Sequence, residues 1–144
     1  MQRVLFVCVE NSCRSQIAEA FARLHGREIV EAYSAGSRPS GKVHPAAVAA
    51  MGEIGYDLNA HTSKSLADLA GIEFDLAITM GCGDECPITQ AREFEDWKIP
   101  DPKNLPPAEF RAVRDSIETQ VKALLTRLQN KAEWQNVWNT GNHR

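Results

Sequence analysis

No basic run interrupts this chain of 144 residues, and its Lys and Arg (16) do not outnumber its Asp and Glu (19), which leaves a formal net charge of −3. A chain that holds nucleic acid through its phosphates needs the opposite balance, so no nucleic-acid partner is expected. Long apolar runs are also missing: the longest extend over about seven residues, against the roughly 20 that cross a bilayer, so no membrane partner is expected. Met1-Gln2-Arg3 passes straight into Val4-Leu5-Phe6-Val7-Cys8 without the regions of a secretory signal, which predicts a cytoplasmic protein with reduced thiols. Repeats, low-complexity stretches and linkers are absent. What remains has the length of one domain of about 100–200 residues and the composition of an ordinary globular protein, 43% hydrophobic and 24% charged. Cysteine is scarce, with Cys8, Cys13, Cys82 and Cys86 only. In a reducing compartment four such residues point to catalysis, redox chemistry or metal binding before structural disulfides.

The apolar run Val4 to Val7 suits a strand buried on both faces of a parallel sheet. From Ser15 the period becomes helical, with Ile17, Ala18, Phe21, Ala22 and Leu24 on one face and Glu19 and Arg23 off it. A second strand is predicted at Ile29 to Ser34, a helix from His44 to Ile54 stopped by Gly55, a short helix from Thr62-Ser63-Lys64-Ser65 through Leu69, a third strand at Phe74 to Met80 and a short fourth at Trp97 to Ile99. Phe110, Val113, Ile117, Val121, Leu124, Leu125 and Leu128 form the stripe of a last helix entered through Pro106 and Pro107. Residues 1–128 are read as the domain and 129–144 as a polar C-terminal tail, in which Trp134 and Trp138 either ride on a frayed extension or dock. Strands alternating with helices predict an α/β, three-layer domain around a small parallel sheet.

In Cys8-Val9-Glu10-Asn11-Ser12-Cys13-Arg14-Ser15 a cysteine ends a strand and an arginine six residues on begins a helix. Amides of Glu10, Asn11, Ser12, Cys13 and Arg14 at the helix N-terminus can converge on a tetrahedral oxyanion, Arg14 can grip two of its oxygens, and the same field favours a nucleophilic Cys8 thiolate. Ser15 can donate to that sulfur, and Asn11 suits a left-handed turn. Glu10 sits awkwardly near an anion, and its side chain is expected to face solvent. Asp101, between Pro100 and Pro102, is placed to supply a proton to a departing oxygen, or else simply starts a turn. His44 reads as a helix cap, His61 as a cap or a residue lining the site, and Trp97 as a core anchor.

At these residues the sequence resembles the low-molecular-weight protein tyrosine phosphatase superfamily, and within it the arsenate reductases of the thioredoxin-coupled type. The matching pieces are Val4 to Cys8, Asn11 to Ala20, Ser34-Ala35-Gly36, Val43-His44-Pro45, His61-Thr62-Ser63 and Asp101-Pro102. Gln16 is similar to the reductase branch, where phosphatases usually carry proline. The resemblance implies four parallel strands with helices on both faces, Cys8 as nucleophile, Arg14 and the loop amides as oxyanion site, and Asp101 as acid. It implies arsenate as substrate and a relay in which Cys82 attacks Cys8 and Cys86 then attacks Cys82, with no cofactor beyond an external thiol reductant. Reduction of As(V) to As(III) takes two electrons, and two thiols closing to a disulfide supply them.

The chain also departs from that pattern. Cys82 and Cys86 stand closer together than is usual for the thioredoxin-coupled type, and Met80-Gly81-Cys82-Gly83-Asp84 resembles relatives that use a small thiol, so thioredoxin, glutaredoxin with glutathione, and mycothiol all stay open as donors. Some relatives bind potassium through an Asn, a Glu and an Asp; Asn11, Glu19 and Ser34 match, but Lys64 stands where the Asp would be, and its ammonium is expected to replace the ion. Lys103 and Asn104 replace the tandem tyrosines of phosphatases, which counts against phosphotyrosine peptides. A phosphatase with Cys13 as a protective thiol is the alternative enzyme; a zinc site of Cys8, Cys13, Cys82 and Cys86 is the alternative outside enzymology. A monomer is expected.

Overall fold

The structure, a computed structural model, describes residues 1–81 and 90–141, with side chains described through residue 131. Four strands form one parallel sheet in the order β2-β1-β3-β4: β1 Gln2–Val7, β2 Val30–Ala35, β3 Phe74–Thr79 and β4 Ala91–Asp96. Three α-helices follow the strands or their connections, α1 Arg14–His25, α2 Pro45–Gly52 and α3 Pro107–Gly141. This is the α/β domain with a four-stranded parallel sheet that the sequence predicts.

β1 lies at the centre, and Val4, Leu5, Phe6 and Val7 are all fully buried. A strand with neighbours on both sides and cover on both faces has no polar side to alternate with, hence the unbroken apolar run. On one face Val4, Phe6, Leu76 and Ile78 join Ile17, Phe21, Met51, Ile117 and Leu125 in the larger core, to which all three α-helices contribute. On the other face Leu5, Val7, Phe74 and Ala77 pack with Leu66 and Leu69 of a short 3-10 helix, Leu66–Leu69. Both faces therefore carry helical cover, of unequal kind. The whole α3 stripe from Phe110 to Leu128 is buried as predicted.

Three details correct the sequence reading. The fourth strand is Ala91–Asp96 rather than Trp97 to Ile99: β4 is an edge strand whose side chains are largely exposed, so it carries charges instead of an apolar pattern, while Trp97 and Ile99 are buried just beyond it. Leu24 is exposed, and Glu19, placed off the apolar face, is buried. The α1 face it shares is a polar pocket of the core, described below. The helix predicted through Leu69 is a 3-10 turn capped by Ser65, with reciprocal hydrogen bonds between Ser65 and Asp68.

The register places the functional end. Val7 pairs with Ala35 on one side and Thr79 on the other, and Thr79 pairs with Asp96, so all four strands finish level. The order reverses at β1, which opens a crevice beyond the carboxyl ends of β1 and β3.

Candidate active site

The loop after β1 is held from outside by its carbonyl groups. Arg38 N donates to Val9 O, Ser40 N and Ser63 Oγ to Glu10 O, His44 N to Ser12 O and Ile17 N to Cys13 O, all at 2.9–3.0 Å. Gln16 Nε2 takes Asn11 O at 3.1 Å. With these carbonyls turned outward, the amides of residues 10–14 are left to the inside, and among the described residues they meet no acceptor. Asn11 makes the turn with φ 50°, a conformation asparagine tolerates better than most residues. Gly36 lies so close beneath that a Cβ there would stand 2.4 Å from Val9 O and 2.8 Å from Cys8 O, so only glycine lets the strand end pass. Helix α1 begins at Arg14 with no side-chain cap and no acidic residue in its first turn, so its N-terminal amides and dipole stay available to an anion.

Cys8, the first residue of the loop, is buried, and its Sγ lies 2.9 Å from Ser15 Oγ. The surrounding hydrogen bonds fix which atom donates. Gln16 Nε2 faces three oxygens, Asn11 O, Asn11 Oδ1 (2.8 Å) and Thr62 O (2.9 Å), so its Oε1 accepts from His61 Nδ1 at 2.9 Å. The remaining ring nitrogen, His61 Nε2, then accepts from Tyr56 OH at 2.6 Å. Asn11 Oδ1 already accepts from Lys64 N (2.9 Å), so Asn11 Nδ2 donates to Ser15 Oγ (2.8 Å), and the Ser15 hydroxyl proton is left for the sulfur. A chain of donors thus runs from Tyr56 through His61, Gln16, Asn11 and Ser15 to Cys8, and it suits a thiolate. Burial lowers the His61 pKa from its ordinary value and keeps the ring neutral, with Glu19 pulling the other way.

Glu19 is the only acid at the bottom of the network among the described residues. It accepts from Ser34 Oγ at 2.6 Å and pairs with Arg23 at 2.7 Å. Lys64 Nζ stands 3.8 Å from Glu19 Oε1, 3.5 Å from Ser34 Oγ and 3.1 Å from Thr62 O. Its ammonium stands among these oxygens and supplies a positive charge beside the buried Glu19 carboxylate. Burial draws the Lys64 pKa down from the ordinary lysine value and Glu19 draws it back.

At the open side Arg14 is steered by three things. Its Nη1 donates to Ile99 O at 3.0 Å and its Nη2 lies 3.9 Å from Asp101 Oδ2, while Gly81, at φ 89°, leaves the room in which a Cβ would stand 2.5 Å from Nη1. Trp97, packed on Phe6 at 5.9 Å, anchors the segment that carries Ile99 and Asp101. Asp101 is exposed and accepts from Lys103 N at 3.1 Å. Glu10 does not simply face solvent: its carboxylate binds Lys103 Nζ at 3.0 Å. Cys13 is buried in the loop and its pKa is pushed up to about 12 by burial first and by Asp101 second, so it stays a thiol.

The structure therefore assembles Cys8, Arg14, Ser15 and Asp101 with the amides of Glu10, Asn11, Ser12 and Cys13. The predicted Cys82 and Cys86 lie outside the described residues. Among the described residues no cluster of histidine, cysteine and acidic side chains could hold a metal. His44 caps α2, its Nδ1 accepting from Ala46 N, as predicted. Nothing in the sequence singles out Tyr56, the Ile99 carbonyl or the Glu10–Lys103 pair; Gln16 is visible only as a motif residue, and of the two readings of His61, cap or site-lining residue, its bond to Gln16 favours the second. A surface cavity of about 1250 Å3 opens at the other end of the sheet beside Gln2 and Asp75 between charges of both signs, and shares no residue with the loop.

Residues 3–134 match the family described as low molecular weight phosphotyrosine protein phosphatase. The chain is 38% identical over 132 residues to the glutaredoxin arsenate reductase of Synechocystis sp., covering 89% of this chain and 99% of that protein. A solved structure of an arsenate reductase in the phosphate binding state is 36% identical with a TM-score of 0.78, over 89% of this chain and 99% of the other. The thioredoxin-dependent arsenate reductase of Corynebacterium glutamicum is 32% identical with a TM-score of 0.75, over 91% of this chain and 63% of the other.

Proposed function

The chain belongs to the low molecular weight phosphotyrosine protein phosphatase family, and we propose that within it this protein reduces arsenate to arsenite. The observation that carries the reading is the union of two features at one crevice. Cys8, with the Ser15 hydroxyl aimed at its sulfur, faces an anion cradle gripped by Arg14, and the residue that packs against Arg14 is Gly81, immediately before Cys82 in the chain. Names of the relatives agree with arsenate chemistry.

The Cys8 thiolate attacks the arsenic of a bound dihydrogen arsenate held by the loop amides and Arg14. An arsenic hydroxyl leaves as water with the proton of the Asp101 carboxyl, and a Cys8 sulfur–arsenic bond remains. Cys82 as thiolate then attacks the Cys8 sulfur; a sulfur–sulfur bond forms, the sulfur–arsenic pair of electrons stays on arsenic, and As(III) departs as arsenite after taking up protons. Cys86 attacks Cys82 and frees Cys8, leaving an 82/86 disulfide for an external dithiol or small thiol to reopen, which supplies the two electrons. Thioredoxin, glutaredoxin with glutathione, or mycothiol would serve as donor, and no bound cofactor is required. A cytoplasmic setting fits, since all of these steps begin from reduced cysteines. Arsenic detoxification is the role that follows.

The test is arsenite formation by the purified protein with each donor in turn. Turnover with at least one of them, lost in Cys8→Ser, supports the reading. Hydrolysis of an aryl phosphate without arsenite from any donor would make the protein a phosphatase instead.

A further inference from the structure

Glu10 presents a problem that its own structure answers. Its amide belongs to the anion cradle, yet its half-exposed carboxylate stays beside the same loop, 3.5 Å from Ser12 Oγ, where its charge would repel an incoming oxyanion. Lys103, 93 residues away in the chain, places Nζ 3.0 Å from Glu10 Oε2 and 3.4 Å from Oε1. The same residue holds the acid, because its backbone N–H donates to Asp101 Oδ1 in a turn bounded by Pro100 and Pro102. One residue thus joins the anion loop to the acid loop. Both charges reach into the loop: on the Cys13 thiol Asp101 acts to raise the pKa and Lys103 to lower it.

We propose that Glu10 and Lys103 form a charge-compensating clasp that sets oxyanion affinity, with Lys103 a positioning residue that cancels the Glu10 carboxylate and fixes Asp101 toward Arg14. The inference rests on the oxyanion reading of the loop and is independent of the reduction step. Its signature is a sign reversal. Removing Lys103 leaves the carboxylate uncompensated and weakens anion binding; removing the Glu10 charge leaves the ammonium uncompensated and strengthens it; removing both restores the starting point.

The experiment measures protection of Cys8 from iodoacetamide by inorganic phosphate and by arsenate, followed on the Cys8 peptide by mass spectrometry, at low and high salt. For exposed charges of this kind Lys103→Ala is expected to weaken binding about threefold, Glu10→Gln to tighten it about twofold, and the double variant to return near the parent, with all differences shrinking at high salt. An equal loss from Lys103→Ala in the parent and in the Glu10→Gln variant would show that Lys103 grips the anion directly and would overturn the clasp, as would unchanged affinity in every variant. Protection with the predicted signs but no arsenite from any donor would sink the reductase reading and leave the clasp standing.

Discussion

The two sides of the loop from Cys8 to Arg14 are built on opposite principles. On the inner side Asn11, Ser15, Gln16 and Glu19 are all buried, and the donor and acceptor of each bond between them and His61 are fixed by neighbours. On the outer side Asp101, Lys103 and Glu10 are exposed or half-exposed, and they touch through ion pairs and one turn. A buried polar network costs a great deal when one member is lost and in return holds one geometry. An exposed set costs little to change and can exchange partners as substrate and water pass. The inner side is thus suited to hold the nucleophile ready, and the outer side to admit the anion and deliver a proton.

Variants can break or sharpen this contrast. Cys8→Ser is expected to abolish arsenite formation with unchanged fold, read as arsenite released and as the far-UV circular dichroism melt. Asp101→Asn, on the outer side, is expected to slow formation of the sulfur–arsenic bond by about 100-fold, the lower end for a lost general acid, with no change in melting temperature. Gln16→Met, on the inner side, keeps the volume but leaves Asn11 and His61 without their partner. It is expected to lower both kcat, by about tenfold, and stability, by about 1–3 kcal/mol. A loss of rate from Gln16→Met at full stability, or a loss of stability from Asp101→Asn, would erase the distinction.

Smaller effects test the inner side by pH. The folded His61 pKa lies below the ordinary 6.5, so the stability tied to its neutral ring is complete above that value and is lost as pH falls through the folded value. The groups acting on it are Glu19 and Asp57, which oppose the shift, and Arg23 and Lys64, which add to it. The melting temperature of the parent is expected to drop between pH 7 and 5 by more than that of His61→Gln; parallel curves would contradict the neutral ring. Smallest of all is Cys13→Ala: a thiol that keeps its proton to a pKa of about 12 takes no part in nucleophilic chemistry, so arsenite formation should stay within about twofold of the parent.

Much of the fold is legible in the sequence where burial is uniform along an element. β1, the α3 stripe and the strand-loop-helix around Cys8 follow from runs and periods, and Cys8, Arg14 and Ser15 follow from residue type and position, whereas Asp101 reads equally as a turn residue until the family resemblance gives it the role of acid. β4 escapes because an edge strand reading Ala91-Arg92-Glu93-Phe94-Glu95-Asp96 has little apolar face to show. Glu19 escapes the helical period, and only the resemblance sets it beside Ser34 and Lys64, because its burial depends on those residues gathering around it from other segments while Arg23 pairs with it along the helix. Tyr56 and His61 are near in sequence, yet their purpose appears only when Gln16 is set beside them. The Glu10–Lys103 pair spans 93 residues, and no local pattern encodes such a contact.

The central claim is that Cys8 accepts arsenic and that thiols of this chain supply the electrons. Its most direct measurement mixes the fully reduced protein with arsenate and no external reductant, then counts free thiols, quantifies arsenite and maps disulfides by mass spectrometry. The account predicts one arsenite per chain, loss of two of the four thiols and a disulfide between Cys82 and Cys86. Arsenite appearing only after a small thiol is added, with Cys82 and Cys86 still free, would contradict the internal relay.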